Sequence, residues 1–129
     1  MKKLLSIAAA ILLFVSCSED ETVSDLIIGT WKLEKQVFID NGQVIDDTTE
    51  CSKNSTLTFN SDNTITSEFF SDNGTECLSG GVDKGTWKNN GSGVYEFTED
   101  GETTADVITV VFSDNNNTLV IGENTWKRQ

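Results

Sequence analysis

The side chains of this chain that are best suited to chemistry are its carboxylates and three cysteines, because the sequence contains no histidine. Without an imidazole, neither a Ser-His-Asp nor a Cys-His nucleophilic device can be assembled. Two carboxylates can hydrolyse a glycoside, but with 21 acidic residues among 129, close pairs arise by chance. Asp72-Asn73-Gly74 and the run from Asp114 to Asn117 carry potential calcium ligands, yet such clusters are typical of turns. We therefore expect no enzymatic activity, no catalytic residue, no metal site and no cofactor.

The thiol of Cys17 follows a segment typical of export. Lys2 and Lys3 precede an apolar run from Leu4 to Val15, which is too short to span a bilayer core that needs about 20 residues. The tetrapeptide Phe14-Val15-Ser16-Cys17 resembles the lipobox of bacterial lipoproteins. This resemblance implies a signal peptide at residues 1–16, cleavage before Cys17, and lipid on its thiol that anchors the protein to a membrane through a tether at residues 17–25. The alternative is an ordinary secreted protein with a chance cysteine.

The residues after Cys17 bear on localisation. Ser18-Glu19-Asp20-Glu21 resembles the short acidic run that sends some outer-membrane lipoproteins to the cell exterior. It implies an outer-membrane lipoprotein that is exposed at the cell surface. The alternative is a solvated acidic tether, since the whole protein is acidic.

Cys51 and Cys77 are the remaining cysteines, and an even pair in an oxidising compartment indicates a disulfide. Such a bond would stabilise the fold by about 3–4 kcal/mol on the chain-entropy model. The alternative is a redox or metal pair, but their wide spacing without any histidine is unlike a metal site.

The net charge of −12 excludes one class of partner. A strongly acidic protein repels phosphates, and the chain has no basic patch with interleaved aromatic residues, so we expect no nucleic acid partner. The same charge favours solubility, and we expect a monomer.

Residues 26–129 carry the alternation of apolar and polar residues that is typical of half-buried strands. Trp31, Leu33, Val37 and Ile39 are expected to share one face, and Asn41-Gly42 is a hairpin signal. Seven to nine such strands, separated by Asn, Asp and Gly, predict an all-β domain. We expect an up-and-down antiparallel barrel of about eight strands, with a two-sheet β-sandwich as the alternative.

One phrase recurs in the domain. Gly29-Thr30-Trp31-Lys32 returns as Gly85-Thr86-Trp87-Lys88, and Asn124-Thr125-Trp126-Lys127 nearly repeats it. The three tryptophans could line a binding site. We favour the alternative for at least two of them, in which each places its large ring in the core.

Three tracts of the domain carry a family resemblance. A short apolar lead into Gly-x-Trp, from Leu26 to Trp31, resembles the lipocalins. The tract from Cys51 to Asp62, with Cys77 and the later Gly85-Thr86-Trp87, looks like the small bacterial lipocalin-like lipoproteins. The resemblance implies a lipocalin-like barrel over residues 26–129. It also implies that an arginine of the last strand, here Arg128, packs over Trp31 at the closed end of the barrel.

The resemblance and the aromatic content support two functions. The first is binding of a small apolar or amphipathic ligand inside the barrel, in a site lined by Phe59, Phe69, Trp87 and Phe97. The second is a non-enzymatic interaction or accessory protein of the cell envelope or cell surface, whose barrel is filled by its own aromatic side chains. An internal cavity of about 300 Å³ or more with a few polar groups would favour the first function.

Overall fold

The computed structural model describes residues 24–129, and the predicted signal peptide (1–16), Cys17 and residues 18–23 of the tether lie outside the described residues. The described part contains ten strands and one short 3-10 turn at Ser52–Asn54. The strands are β1 (Gly29–Lys35), β2 (Val37–Asp40), β3 (Gln43–Asp46), β4 (Thr56–Phe59), β5 (Thr64–Asp72), β6 (Cys77–Gly91), β7 (Val94–Glu99), β8 (Asp106–Ser113), β9 (Thr118–Ile121) and β10 (Asn124–Arg128). No helix among residues 24–129 is both long and apolar enough to cross a membrane.

Eight of these strands form a closed antiparallel barrel in the order β1-β10-β9-β8-β7-β6-β5-β4. The first and last strands are neighbours, with Trp31 opposite Arg128, and β4 closes the barrel on the other side of β1. Closure leaves no exposed strand edge in this sheet. The predicted all-β barrel of about eight strands is confirmed, and the two-sheet sandwich is wrong.

The predicted common face of Trp31, Leu33, Val37 and Ile39 is wrong in its second half. The pairing of β1 with β10 shifts register between Leu33 and Lys35, and the chain leaves the barrel after this irregularity. Val37 and Ile39 lie instead in a separate hairpin of β2 and β3, and Ile39 is 54% exposed. The hairpin turn at Asn41-Gly42 is as predicted, because both residues have the positive φ angles that a two-residue turn requires.

One end of the barrel is closed by packed side chains. The lead to β1 passes this end, and Ile27, Trp31 and Leu119 are fully buried there. The register of β6 places Trp87 beyond the Ile65–Gly85 pair, toward the same end. We call this the closed end.

The opposite end carries the tip of the β5–β6 hairpin and the connection between β7 and β8; we call it the open end. A Cys51–Cys77 disulfide, with the two Cα atoms 5.4 Å apart, joins the segment before the 3-10 turn to the start of β6. The predicted disulfide is confirmed. It pins the long β5–β6 hairpin to the loop that leads into β4.

Candidate ligand-binding site

A cavity of about 330 Å³ enters the barrel from the open end, between β5, β6, β7 and β8. Its apolar lining comes from side chains that point inward on alternate positions of their strands. The lining residues are Leu57, Ile65, Ser67, Phe69, Asp83, Lys84, Gly85, Phe97, Thr98, Glu99 and Asp106.

A second, smaller space of about 180 Å³ extends the cavity across the barrel interior. Leu57, Ile65, Phe69 and Phe97 line both spaces, so we treat them as one site. The other residues that line the inner part are Phe59, Ile121, Asn124 and Trp126. The inner part is almost entirely apolar.

Gly85 lines the cavity on β6, at a point where the neighbouring strand β7 approaches closely. A Cβ atom at this position would collide with the backbone carbonyl of Thr98 on the neighbouring strand. Position 85 of the second Gly-x-Trp phrase therefore requires glycine, because β6 and β7 approach each other closely there.

The structure brings together three of the four predicted ligand-lining residues. Phe69 and Phe97 line both parts of the cavity, and Phe59, which is 1% exposed, lines the inner part. Trp87 lines neither part. Its ring packs edge-on against Phe59 at 6.3 Å between centroids, and its Nε1 donates a hydrogen bond to the carbonyl of Asn60 at 3.1 Å. Trp87 belongs to the core because the β6 register carries it past Gly85 toward the closed end.

Sequence reasoning missed the polar rim of the cavity. Asp83 on β6, Glu99 on β7 and Asp106 on β8 are exposed at the open end and line the cavity. Each lies two residues from an inward apolar position or from Gly85, and this spacing was the signal that could have found them. Lys84 is the one basic residue in the lining.

The closed end is held by Arg128, as the resemblance implied. The guanidinium carbon lies 4.2 Å from the Trp31 ring centroid, which is a cation–π distance. Its nitrogens also donate to three backbone carbonyls, those of Leu26 (2.6 Å), Ile28 (2.9 Å) and Asn116 (3.1 and 3.2 Å). The arginine thus joins the lead, β1 and the turn before β9.

Gly29 makes room for this arginine. A Cβ atom at this position would lie 2.9 Å from Nη1 of Arg128, and the φ angle of +138° is one that side-chain-bearing residues rarely adopt. The glycine of the first Gly-x-Trp phrase is thus required by the Arg128 side chain, whereas the glycine of the second is required by the backbone of β7.

A carboxylate also holds the lead across the closed end. Asp25 accepts hydrogen bonds from the Tyr95 hydroxyl (2.7 Å), the Ile27 backbone N–H (3.1 Å) and the Asn89 amide (2.6 Å). Partial burial raises the pKa of Asp25, but these hydrogen bonds outweigh it and the pKa lies below its usual value. Burial, together with the bond to Asp25, raises the pKa of Tyr95 well above that of a free tyrosine.

A larger depression of about 610 Å³ lies outside the barrel interior and is a weaker candidate. It is shallow and polar, and Lys35 and Asp46 in its wall pair with each other at 3.8 Å. Small-molecule sites are concave and mainly apolar with a few polar groups, which describes the barrel cavity better.

Comparison with known protein families identifies the family of this chain. A family model described as a lipocalin-like domain matches residues 27–121, from the lead before β1 to the end of β9. The match covers most of the barrel and both parts of the cavity, except for the residues of β10. No curated protein matches the chain.

Proposed function

Because this chain belongs to the lipocalin-like domain family, we propose that it binds a small apolar or amphipathic molecule in the cavity at the open end. One observation carries the proposal. The closed half of the barrel is packed with Trp31, Trp87, Tyr95 and Leu119, whereas the open half retains a cavity of about 330 Å³. A barrel that served only as a scaffold would gain stability from filling that space.

The proposal includes no reaction. The chain has no histidine, and the lining residues offer carboxylates, aromatic rings and a lysine without a nucleophile paired to a base. Binding and release are the activities that this lining supports.

The experiment has two parts. Native mass spectrometry of protein purified from its own host should detect a co-purifying small molecule. Ser67→Trp should abolish this signal, because Ser67 lines the cavity and an indole there would fill it. Thr66→Trp is the matched control, since Thr66 precedes Ser67 on β5 and does not line the cavity, and it should retain the ligand. Loss of ligand in both variants, or in neither, would contradict binding in the barrel.

The proposal also includes a membrane anchor on Cys17 of an outer-membrane lipoprotein, displayed at the cell surface. Ser24, the first described residue, precedes Asp25 at the closed end. A tether from Cys17 to Ser24 spans at most roughly 25 Å when fully extended. The closed end would therefore be the end nearer the lipid, and the cavity would open away from the membrane.

The anchor has its own test. The intact mass of membrane-extracted protein should show cleavage before Cys17 and added acyl mass, and Cys17→Ala should release the protein from membranes. Labelling of intact cells with an impermeant reagent should reach the lysines of the barrel if it is displayed outside. An unmodified N-terminus, or membrane retention that Cys17→Ala leaves unchanged, would refute the anchor.

The interaction protein is the second candidate, and the β2–β3 hairpin favours it. Ile39 and Val44 face each other across this hairpin and are 54% and 70% exposed. Contiguous exposed apolar patches mark contact surfaces, and this pair would form part of such a patch. Ile39→Ser with Val44→Ser alters this surface without touching the cavity, because neither residue lines it. The pocket proposal therefore predicts that the variant retains the co-purifying small molecule.

A further inference from the structure

The rim of the cavity concentrates unpaired negative charge. Asp83, Glu99 and Asp106 come from three successive strands and line the same opening. Within residues 24–129, none of the three carboxylates lies within ion-pair distance of a base or accepts a side-chain hydrogen bond. Lys84, the one base in the lining, leaves the rim with a net negative charge.

Aromatic side chains lie directly below this rim. Phe69 is half-exposed at the opening, and its ring contacts Trp126 edge-on at 6.1 Å between centroids. Phe97 lies beside Phe59 at 5.8 Å. Aromatic faces attract organic cations, and this attraction grows where water is excluded. Carboxylates above aromatic walls therefore form a lining that favours a positively charged group on an apolar body.

We infer that the ligand of this cavity is a small organic cation whose apolar body enters the barrel. Its ammonium group lies at the rim formed by Asp83, Glu99 and Asp106. The inference rests on the proposed function and names the ligand class for that same cavity.

Isothermal titration calorimetry tests the charge requirement with one apolar body that carries three different head groups. Naphthylethylamine is a cation, naphthylethanol is neutral and naphthylacetate is an anion. The ammonium compound should bind at least about tenfold more tightly than the alcohol, and the carboxylate should bind most weakly. Added salt should reduce the difference, since the rim is exposed to solvent.

Two matched triple variants show which carboxylates matter. Asp83→Asn with Glu99→Gln and Asp106→Asn should reduce the ratio of ammonium to alcohol affinity to about one. Glu34→Gln with Glu96→Gln and Asp114→Asn changes the net charge equally, at acidic residues that pair with lysines and do not line the cavity. This control should keep the preference. Loss of the preference in the control would assign it to overall charge and overturn the inference.

The outcomes separate the inference from the proposed function. Equal binding of the alcohol and the ammonium compound would overturn the cation preference and leave the pocket intact. Failure of every probe, together with the absence of any ligand in native mass spectrometry, would overturn the pocket itself.

Discussion

Three tryptophans share one sequence context but differ in what their indole nitrogens contact. Trp31 donates to the carbonyl of Ile27 four residues before it, and Trp87 donates to Asn60 across the barrel end. Trp126 has a similar burial and lacks such a carbonyl in the described residues. The same side chain thus closes the barrel in two copies and borders the cavity in the third.

Arg128→Ala should lower the free energy of unfolding by about 2–3 kcal/mol, because it removes a cation–π contact and leaves three carbonyls without their charged donor. Sequence reasoning, which considered the ring contact and packing alone, predicts a smaller loss, on the order of 1 kcal/mol. Urea unfolding at neutral pH measures the loss.

Two further variants control this measurement. Arg128→Lys keeps the charge but cannot span several carbonyls, and should recover less than half of the loss. Lys127→Ala removes an outward, partly exposed base and should cost less than about 1 kcal/mol. Equal losses for the alanine variants at positions 127 and 128 would contradict the role assigned to Arg128.

Among the elements, β5 and β6 form the longest hairpin, of nine and 15 residues, and its tip extends beyond the strands beside it. A hairpin of this length needs support at its tip, because few neighbours pack against it there. The Cys51–Cys77 bond supplies that support, and Ser55 adds to it by accepting a hydrogen bond from the Phe70 backbone N–H at 2.9 Å.

Cys51→Ala with Cys77→Ala should lower the free energy of unfolding by about 3–4 kcal/mol, since the bond closes a loop with a sequence separation of 26. Thermal unfolding of the variant and of the reduced unaltered protein should agree. Ligand binding should be retained, because neither cysteine lines the cavity. Ready labelling of either thiol in unreduced, unfolded protein would overturn the disulfide.

At the scale of the whole molecule, the hydrogen bonds of Asp25 join the chain lead to strands on the far side of the closed end. Asp25 is bonded to Tyr95 on β7 and to Asn89 on β6, while Arg128 holds the same lead from β10. Opposite sides of the barrel are therefore coupled through four residues of lead. This coupling makes the closed end sensitive to pH.

The sign of the pH effect follows from the two pKa shifts. The folded-state pKa of Tyr95 is raised, so its contribution to stability is complete below about pH 10 and is lost as the pH rises toward the folded value. The folded-state pKa of Asp25 is lowered, so its contribution is complete above about pH 5 and is lost as the pH falls through the folded value.

Tyr95 is the single tyrosine of the chain, so tyrosinate absorbance measures its ionisation directly. The native protein should begin to absorb only above about pH 10, whereas unfolded protein should titrate near that value. Asp25→Asn should lower the native midpoint only in part, because burial is the larger cause of the shift. Asp40→Asn, at the β2–β3 turn, is the matched control and should leave the midpoint unchanged. A native midpoint equal to the unfolded one would refute the contact.

Local patterns in the sequence were sufficient for most strands of the barrel, and they left a two-sheet sandwich open as the alternative. Alternation with period two, turn residues such as Asn41-Gly42 and the paired cysteines are local or compositional signals, and they predicted the strands, the hairpin and the Cys51–Cys77 bond. The resemblance to the lipocalins added the expectation that Arg128 of the last strand packs over Trp31 of the first. The common face predicted from alternation is wrong after Gln36, because the chain leaves the barrel sheet there. The strand that pairs with β1 is β4 and not β2.

Tertiary structure alone decided what the barrel leaves empty and unpaired. Whether Trp87 lines the cavity depends on the register of β6, and whether Trp126 finds a carbonyl depends on backbone distant in sequence. The volume of the cavity depends on the summed volume of inward side chains from many strands. No window of sequence contains these quantities, because each is set by contacts between residues that only closure of the barrel brings together.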